Sequence, residues 1–128
     1  MRIEHVGYMV SDPVQVTQWY VSHLGFEIRR KQAQSPWTHF LADSSGQMML
    51  EIYNNPRAAV PDYRAMDPLV FHLAFSVDDV ARTRGELLKV GASAEGEITV
   101  TAAGDQLAML RDPWGMALQL VKRSGPVV

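Results

Sequence analysis

Along residues 70–79, large apolar side chains alternate with smaller or polar ones. Phe71, Leu73, Phe75 and Val77 fall on one face, and Val70, His72, Ala74 and Ser76 on the other. Period-two alternation predicts a strand with two unlike faces, and Asp78 or Asp79 then opens a helix. The same pattern occupies residues 3–12. There His5 takes the place of His72, Gly7 of Ala74, Tyr8 of Phe75, Val10 of Val77 and Asp12 of Asp79. The two histidines are 67 residues apart, about half of a 128-residue chain. A repeated strand, cap and helix is therefore the expected building unit.

The rest of the pattern fits that repeat. A strand over 2–10 leads to Asp12-Pro13, where Asp12 serves as N-cap, Pro13 suits the first helical position and Gln15 is placed for a capping box. Val16, Trp19, Tyr20 and Leu24 recur at helical spacing, and Gly25 stops the helix. Strands are expected over 26–32, 37–42 and 47–53. Residues 55–68 lose all periodicity and hold Pro56, Pro61 and Pro68, three of the seven prolines, so they read as a connector. A second pass then gives a strand over 69–77 and a helix whose inward residues are Val80, Leu87, Leu88 and Val90, closed by Gly91. Strands follow over 97–101, 106–111 and 116–122, with Asp112-Pro113-Trp114-Gly115 turning between the last two. The expected organisation is one domain: module one at 1–54, the connector at 55–68, module two at 69–122 and a tail at 123–128. The class is α+β, with the order β-α-β-β-β in each module.

Composition narrows the function more than the fold. Hydrophobic content of 47% suits a globular chain. A net charge of −2 without a basic run argues against nucleic acid and anionic membrane as partners. No apolar run approaches the roughly 20 residues that span a bilayer. The chain enters a strand pattern at once with no apolar signal core, so the cytoplasm is the expected compartment. The absence of cysteine removes disulfides, thiolate nucleophiles and Cys-ligated zinc.

Candidate chemistry lies on the first and last strand of each module. Met48, Leu50 and Ile52 make one apolar face of the fourth strand, which puts Glu51 on the other with Met49 and Tyr53. In the second module Gln119 occupies the related place, 68 residues on. Four repeat-related positions thus carry one polar residue each: His5, Glu51, His72 and Gln119. Two imidazoles, a carboxylate and an amide oxygen form a reasonable set for a divalent ion, with positions left for water or a substrate oxygen. Tyr53 is either a cleft-lining or a core aromatic, and Met9 and Ala74 are expected to shape the same pocket. Arg111 has two readings, a partner for an anionic substrate group or a solvated strand end. His39 and Trp37 share a face of the third strand. His23 sits on the helix surface near a C-terminus, where positive charge is favoured.

With these residues in view, the chain resembles the vicinal oxygen chelate superfamily, which includes glyoxalase I, methylmalonyl-CoA epimerase, the extradiol dioxygenases and the fosfomycin and bleomycin resistance proteins. The resemblance spans about residues 1–122. It rests on the two His-x-x-x-x-Val-x-Asp openings, Leu24-Gly25-Phe26, Leu50-Glu51-Ile52, and Asp112-Pro113-Trp114-Gly115 leading to Leu118-Gln119-Leu120. It implies two βαβββ modules whose mixed sheets form an open barrel-like cleft with helices on the outer face. One divalent metal (Zn, Ni, Fe, Mn or Co) would be bound by His5, Glu51, His72 and Gln119.

Glyoxalase I-like members look most similar, although Gln119 stands where that group usually has glutamate and leaves Glu51 as the carboxylate base. The expected activity is that of a metal-dependent lyase or isomerase on a small substrate with neighbouring oxygens. The alternatives are an Fe(II) extradiol-type dioxygenase and a metal-free small-molecule binder like the bleomycin resistance proteins. A homodimer is expected, as modules in this group often pair across subunits.

Overall fold

The computed structural model describes residues 1–127. The chain divides into two units, Met1–Pro61 and Asp62–Val128. In the first, the order is β1 (His5–Met9), α1 (Pro13–Leu24), β2 (Glu27–Lys31), β3 (His39–Ala42) and β4 (Met49–Tyr53). The second repeats it with β5 (Leu73–Ser76), α2 (Val80–Lys89), β6 (Ser93–Val100), β7 (Gln106–Arg111) and β8 (Ala117–Lys122). Each unit holds an open four-stranded mixed sheet, ordered β1-β4-β3-β2 in one and β5-β8-β7-β6 in the other. The first and last strands of each unit run parallel and the remaining pairs are antiparallel.

The first helix forms as its sequence dictates. The Asp12 carboxylate accepts the Gln15 N–H, Pro13 takes the first turn, and Gly25 ends the helix at φ 74°. That left-handed conformation favours glycine because a Cβ would crowd the backbone. Val16, Trp19 and Tyr20 are buried as one stripe, and Tyr20 stacks obliquely on Phe26 with centroids 5.9 Å apart. The helix packs on β2, β3 and β4. Fully burying each large side chain contributes about 1.5–3 kcal/mol. Leu50 and Ile52 are buried, while Met49, Glu51 and Tyr53 on the other face of β4 are half-buried.

The second unit departs from expectation in three places. Strand β5 starts at Leu73 rather than residue 69, because the chain turns over 67–70: Asp67 accepts the Leu69 N–H on its carboxylate and the Val70 N–H on its carbonyl. Its partner β8 begins at Ala117, so no ladder exists before Leu73↔Leu118. Helix α2, capped by Asp79 as one of the two expected residues, ends at Lys89 with Val90 as its C-cap rather than running on to Gly91. Val90 has left the helix and is exposed, and Leu88 is half-buried. Strand β6 is longer than expected and carries a register shift between Glu95 and Thr99.

Part of the Pro-rich segment is bound into the second unit. A 3-10 turn at Tyr63–Ala65 is capped by Asp62, and the carbonyls of Tyr63 and of Met66, just past it, accept from Arg111. Gly115, at φ 98°, packs so closely on Arg64 that a Cβ there would lie 2.7 Å from the Arg64 Cβ. No helix is long and apolar enough to cross a membrane among the described residues.

Candidate active site

The parallel register of β1 with β4 pairs His5↔Met49, Gly7↔Glu51 and Met9↔Tyr53. These six residues share the sheet face away from Leu50 and Ile52. Phe40, opposite Glu51 in the β3–β4 ladder, joins them. Its ring meets the His5 imidazole edge-on, with centroids 5.7 Å apart and planes at 87°. Met9 is buried on this face, and the Asn55 N–H points to its sulfur at 3.3 Å.

His5 Nε2 lies 3.3 Å from Glu51 Oε2. The other ring nitrogen, Nδ1, is bonded to the Glu4 carboxylate. That bond raises the His5 pKa above 6.5, against the opposing effect of partial burial and with further help from the charges of Glu4 and Glu51. Gly7 makes room for the pair: a Cβ there would come within 2.9 Å of Glu51 Oε2 and 3.4 Å of Tyr53 Cε1.

The corresponding residues of the second unit repeat the register. Ala74 pairs with Gln119 as Gly7 pairs with Glu51, and His72 precedes Ala74 by two residues as His5 precedes Gly7. His72 sits just ahead of β5, and its Nδ1 donates to the Pro68 carbonyl at 2.8 Å. A ring held this way presents Nε2 as its free donor atom. Ala74 is exposed and Gln119 half-buried.

Ligands of one first-row ion, each about 2.0–2.3 Å from it, stand about 3.0–3.5 Å apart. The 3.3 Å between His5 and Glu51 matches that spacing. Both histidines also have the Nδ1 partner that metal-bound imidazoles need. Within the first unit, His5 and Glu51 are thus spaced as two ligands of one divalent ion would be. The structure brings His5 and Glu51 together within the first unit. Among the described residues, no three His, Cys, Asp or Glu side chains are gathered around one point.

Arg111 is neither a substrate contact nor a solvated strand end. It is 5% exposed. Its five N–H donors go to both Glu95 carboxylate oxygens (3.2 Å each) and to the carbonyls of Tyr63, Met66 and Gly115 (2.9, 2.9 and 3.0 Å). It ties the turn over 63–66 to β6 and to the β7–β8 turn, with no donor left for a ligand. His39 is buried, with Nδ1 bonded to the Trp37 carbonyl, and His23 stacks edge-on against Trp19.

Sequence reading missed Glu4, Gly7 and Phe40. Gly7 had been aligned with Ala74, but its role depends on the Glu51 carboxylate lying above it. Phe40 enters through the β3–β4 register, for which the sequence carries no local mark.

A family model described as the Glyoxalase/Bleomycin resistance protein/Dioxygenase superfamily matches residues 2–120. No curated protein matches the chain significantly. Among solved structures, the protein SMU.1112c is 30% identical, with a TM-score of 0.74, covering 94% of this chain and 98% of its own. The Bacillus cereus glyoxalase family protein APC24694 superposes with a TM-score of 0.81 at 16% identity, over 98% of this chain and 95% of its own. TnmS3, an antibiotic-binding protein from Streptomyces sp. CB03234, has a TM-score of 0.72 at 21% identity, with 97% of each chain covered.

Proposed function

Since the chain belongs to the Glyoxalase/Bleomycin resistance protein/Dioxygenase superfamily, we propose that it is a metal-dependent lyase or isomerase acting on a small substrate with two neighbouring oxygens. The observation that carries this reading is the His5–Glu51 pair, 3.3 Å apart and backed by Glu4 on the far side of the imidazole. The proposed ligands are His5 and Glu51 of one module with His72 and Gln119 of the other, from one chain or from two chains of a homodimer. When bound, the ion supplies Lewis-acid polarisation of the substrate oxygens.

The remaining work falls to the chain. Glu51 is the proposed base: it would take the proton from the hydroxyl-bearing carbon and return it to the adjacent carbonyl carbon, while the hydroxyl proton passes to the former carbonyl oxygen. Glu4 keeps the His5 ring turned with Nε2 toward Glu51. Gly7 leaves the carboxylate space to approach a substrate, and Phe40 gives the site an apolar wall. Gln119 offers an amide oxygen and no charge, so a single carboxylate carries the proton transfer.

The test is metal analysis of protein purified without chelator or histidine tag, followed by α-carbon deuterium exchange on a panel of α-hydroxycarbonyl compounds in D2O. Stoichiometric divalent metal and exchange lost in Glu51→Gln support the reading. A protein that binds such compounds equally well after EDTA treatment, without exchange, is instead a metal-free binder, in line with the antibiotic binding named for TnmS3. Light scattering at micromolar concentration tests the dimer.

A further inference from the structure

The turn between β7 and β8 holds more than its own strands. Residues 62–70 are tied to it as a strap, and both belong to the second unit. Arg111, buried at the end of β7, donates from Nη1 to the Tyr63 carbonyl and from Nη2 to the Met66 carbonyl, each at 2.9 Å. From the strap's side, Arg64 donates to the Pro113 carbonyl at 3.0 Å. Gly115 closes the contact, since a Cβ on it would stand 2.7, 2.8 and 2.9 Å from the Cβ, N and Cα of Arg64.

Little freedom is left between the last of these ties and the His72 ring. Met66 is extended, at ψ 138°. Asp67 precedes a proline and is restricted by it, and the Pro68 ring fixes its own φ at about −65°. The Val70 N–H then donates to the Asp67 carbonyl at 2.9 Å, and the Leu69 N–H to the Asp67 carboxylate at 2.8 Å. That closes a β-turn with proline in its second position, where the fixed φ is favoured. The Pro68 carbonyl is therefore set in place, and it accepts His72 Nδ1–H at 2.8 Å. On the other side of the histidine, the ladder of β5 with β8 begins at Leu73↔Leu118. His5 is held differently, by the side chain of Glu4.

We propose that Arg111 is a positioning residue for His72. By fixing the strap it fixes the Pro68 carbonyl, which keeps the imidazole proton on Nδ1 and leaves the lone pair on Nε2. In water a neutral imidazole mostly carries that proton on Nε2, so the tautomer of His72 is a mark of the strap. A ring that ligates a metal through Nε2 needs this tautomer. That use of the ring rests on the function proposed above, whereas the tautomer itself does not.

The test is a long-range proton–nitrogen correlation spectrum of the imidazole rings in the isotope-labelled, EDTA-treated full chain. It is recorded at about pH 8, where an ordinary imidazole is neutral. His72 should be the Nδ1–H tautomer in the parent. Arg111→Lys cannot reproduce the fork that reaches both carbonyls. Its ratio of Nδ1–H to Nε2–H at His72 should fall about three- to tenfold, the weight of one ordinary hydrogen bond. Glu95→Gln loses the ion pair and some stability but keeps both carbonyl ties, so His72 should be unchanged. His39, whose Nδ1 is bonded to the Trp37 carbonyl in the first unit, should keep its tautomer throughout.

If Arg111→Lys does not fold, Gly115→Ala presses on the strap from the Arg64 side and should lower the same ratio. Zinc calorimetry on the same proteins reads the consequence, an affinity about tenfold lower in Arg111→Lys. A parent chain that binds no zinc would count against the metal reading alone. The positioning role is overturned if His72 carries its proton on Nε2 in the parent, if neither Arg111→Lys nor Gly115→Ala changes the ratio, or if Glu95→Gln changes it as much as Arg111→Lys does.

Discussion

His5 Nε2 and Glu51 Oε2 face each other at 3.3 Å over a glycine, although 46 residues separate them in sequence. Parallel pairing of β1 and β4 fixes that contact, since His5 lies two residues ahead of the Gly7↔Glu51 pair. Replacing Glu51 by glutamine keeps the shape of the side chain and removes the only carboxylate of the proposed ligand set. Zinc affinity, measured by calorimetry on EDTA-treated protein, should fall by more than the 10–100-fold typical of losing a group behind a ligand. His72→Ala should behave similarly. His23→Ala, on the helix surface, should leave metal binding unaltered.

Gly7→Ala tests the space above the strand. Its new Cβ would stand 2.9 Å from Glu51 Oε2, the mobile end of a long side chain. The carboxylate is expected to swing away and the fold to stay. Zinc affinity should drop about tenfold or more, while the midpoint of urea unfolding shifts by less than about 1 kcal/mol in stability. A variant that binds zinc as the parent does would show that the carboxylate does not need this position.

Arg111→Ala should also act on stability. Removing the guanidinium strands the Glu95 carboxylate and three carbonyls that it now satisfies. Breaking a buried pair of this kind costs about 3–5 kcal/mol. Glu95 is partly exposed, so the lower end is expected. Urea denaturation measures it, and Arg111→Lys, which cannot reproduce the fork of five donors, should recover little.

The acid limb of stability should involve Asp105. Its carboxylate accepts the Ser124 N–H at 2.8 Å and pairs with Arg123 at 2.8 Å, which ties the β6–β7 turn to the chain beyond β8. The Ser124 N–H, then the Arg123 hydrogen bond, hold its pKa below the ordinary 3.8. A depressed folded-state pKa contributes stability above the unfolded value, and that contribution is lost as pH falls through the folded one. NMR titration should therefore place the Asp105 midpoint below 3.8, with the Ser124 amide losing protection over the same range. Asp105→Asn should abolish that pH dependence.

Much of the fold was legible in the chain because it rests on local rules. The caps at Asp12 and Asp79, the glycine stop at Gly25 and the Asp112 turn are short-range hydrogen-bond and backbone effects. The two-face alternation of β4 and the repeat of His5 at His72 also survive in one dimension. Tertiary structure decided what depends on partners distant in sequence. Strand β5 is short because β8 offers no ladder before Leu118.

Arg111 became a structural tie rather than a ligand contact because the carbonyls of Tyr63, Met66 and Gly115 converge on it. Phe40 beside His5 and the space over Gly7 both follow from strand register. The sequence by itself determined which residue types were available for chemistry and on which face of each strand they would stand. Their neighbours were set by pairing between segments, which leaves no periodic trace in any single stretch.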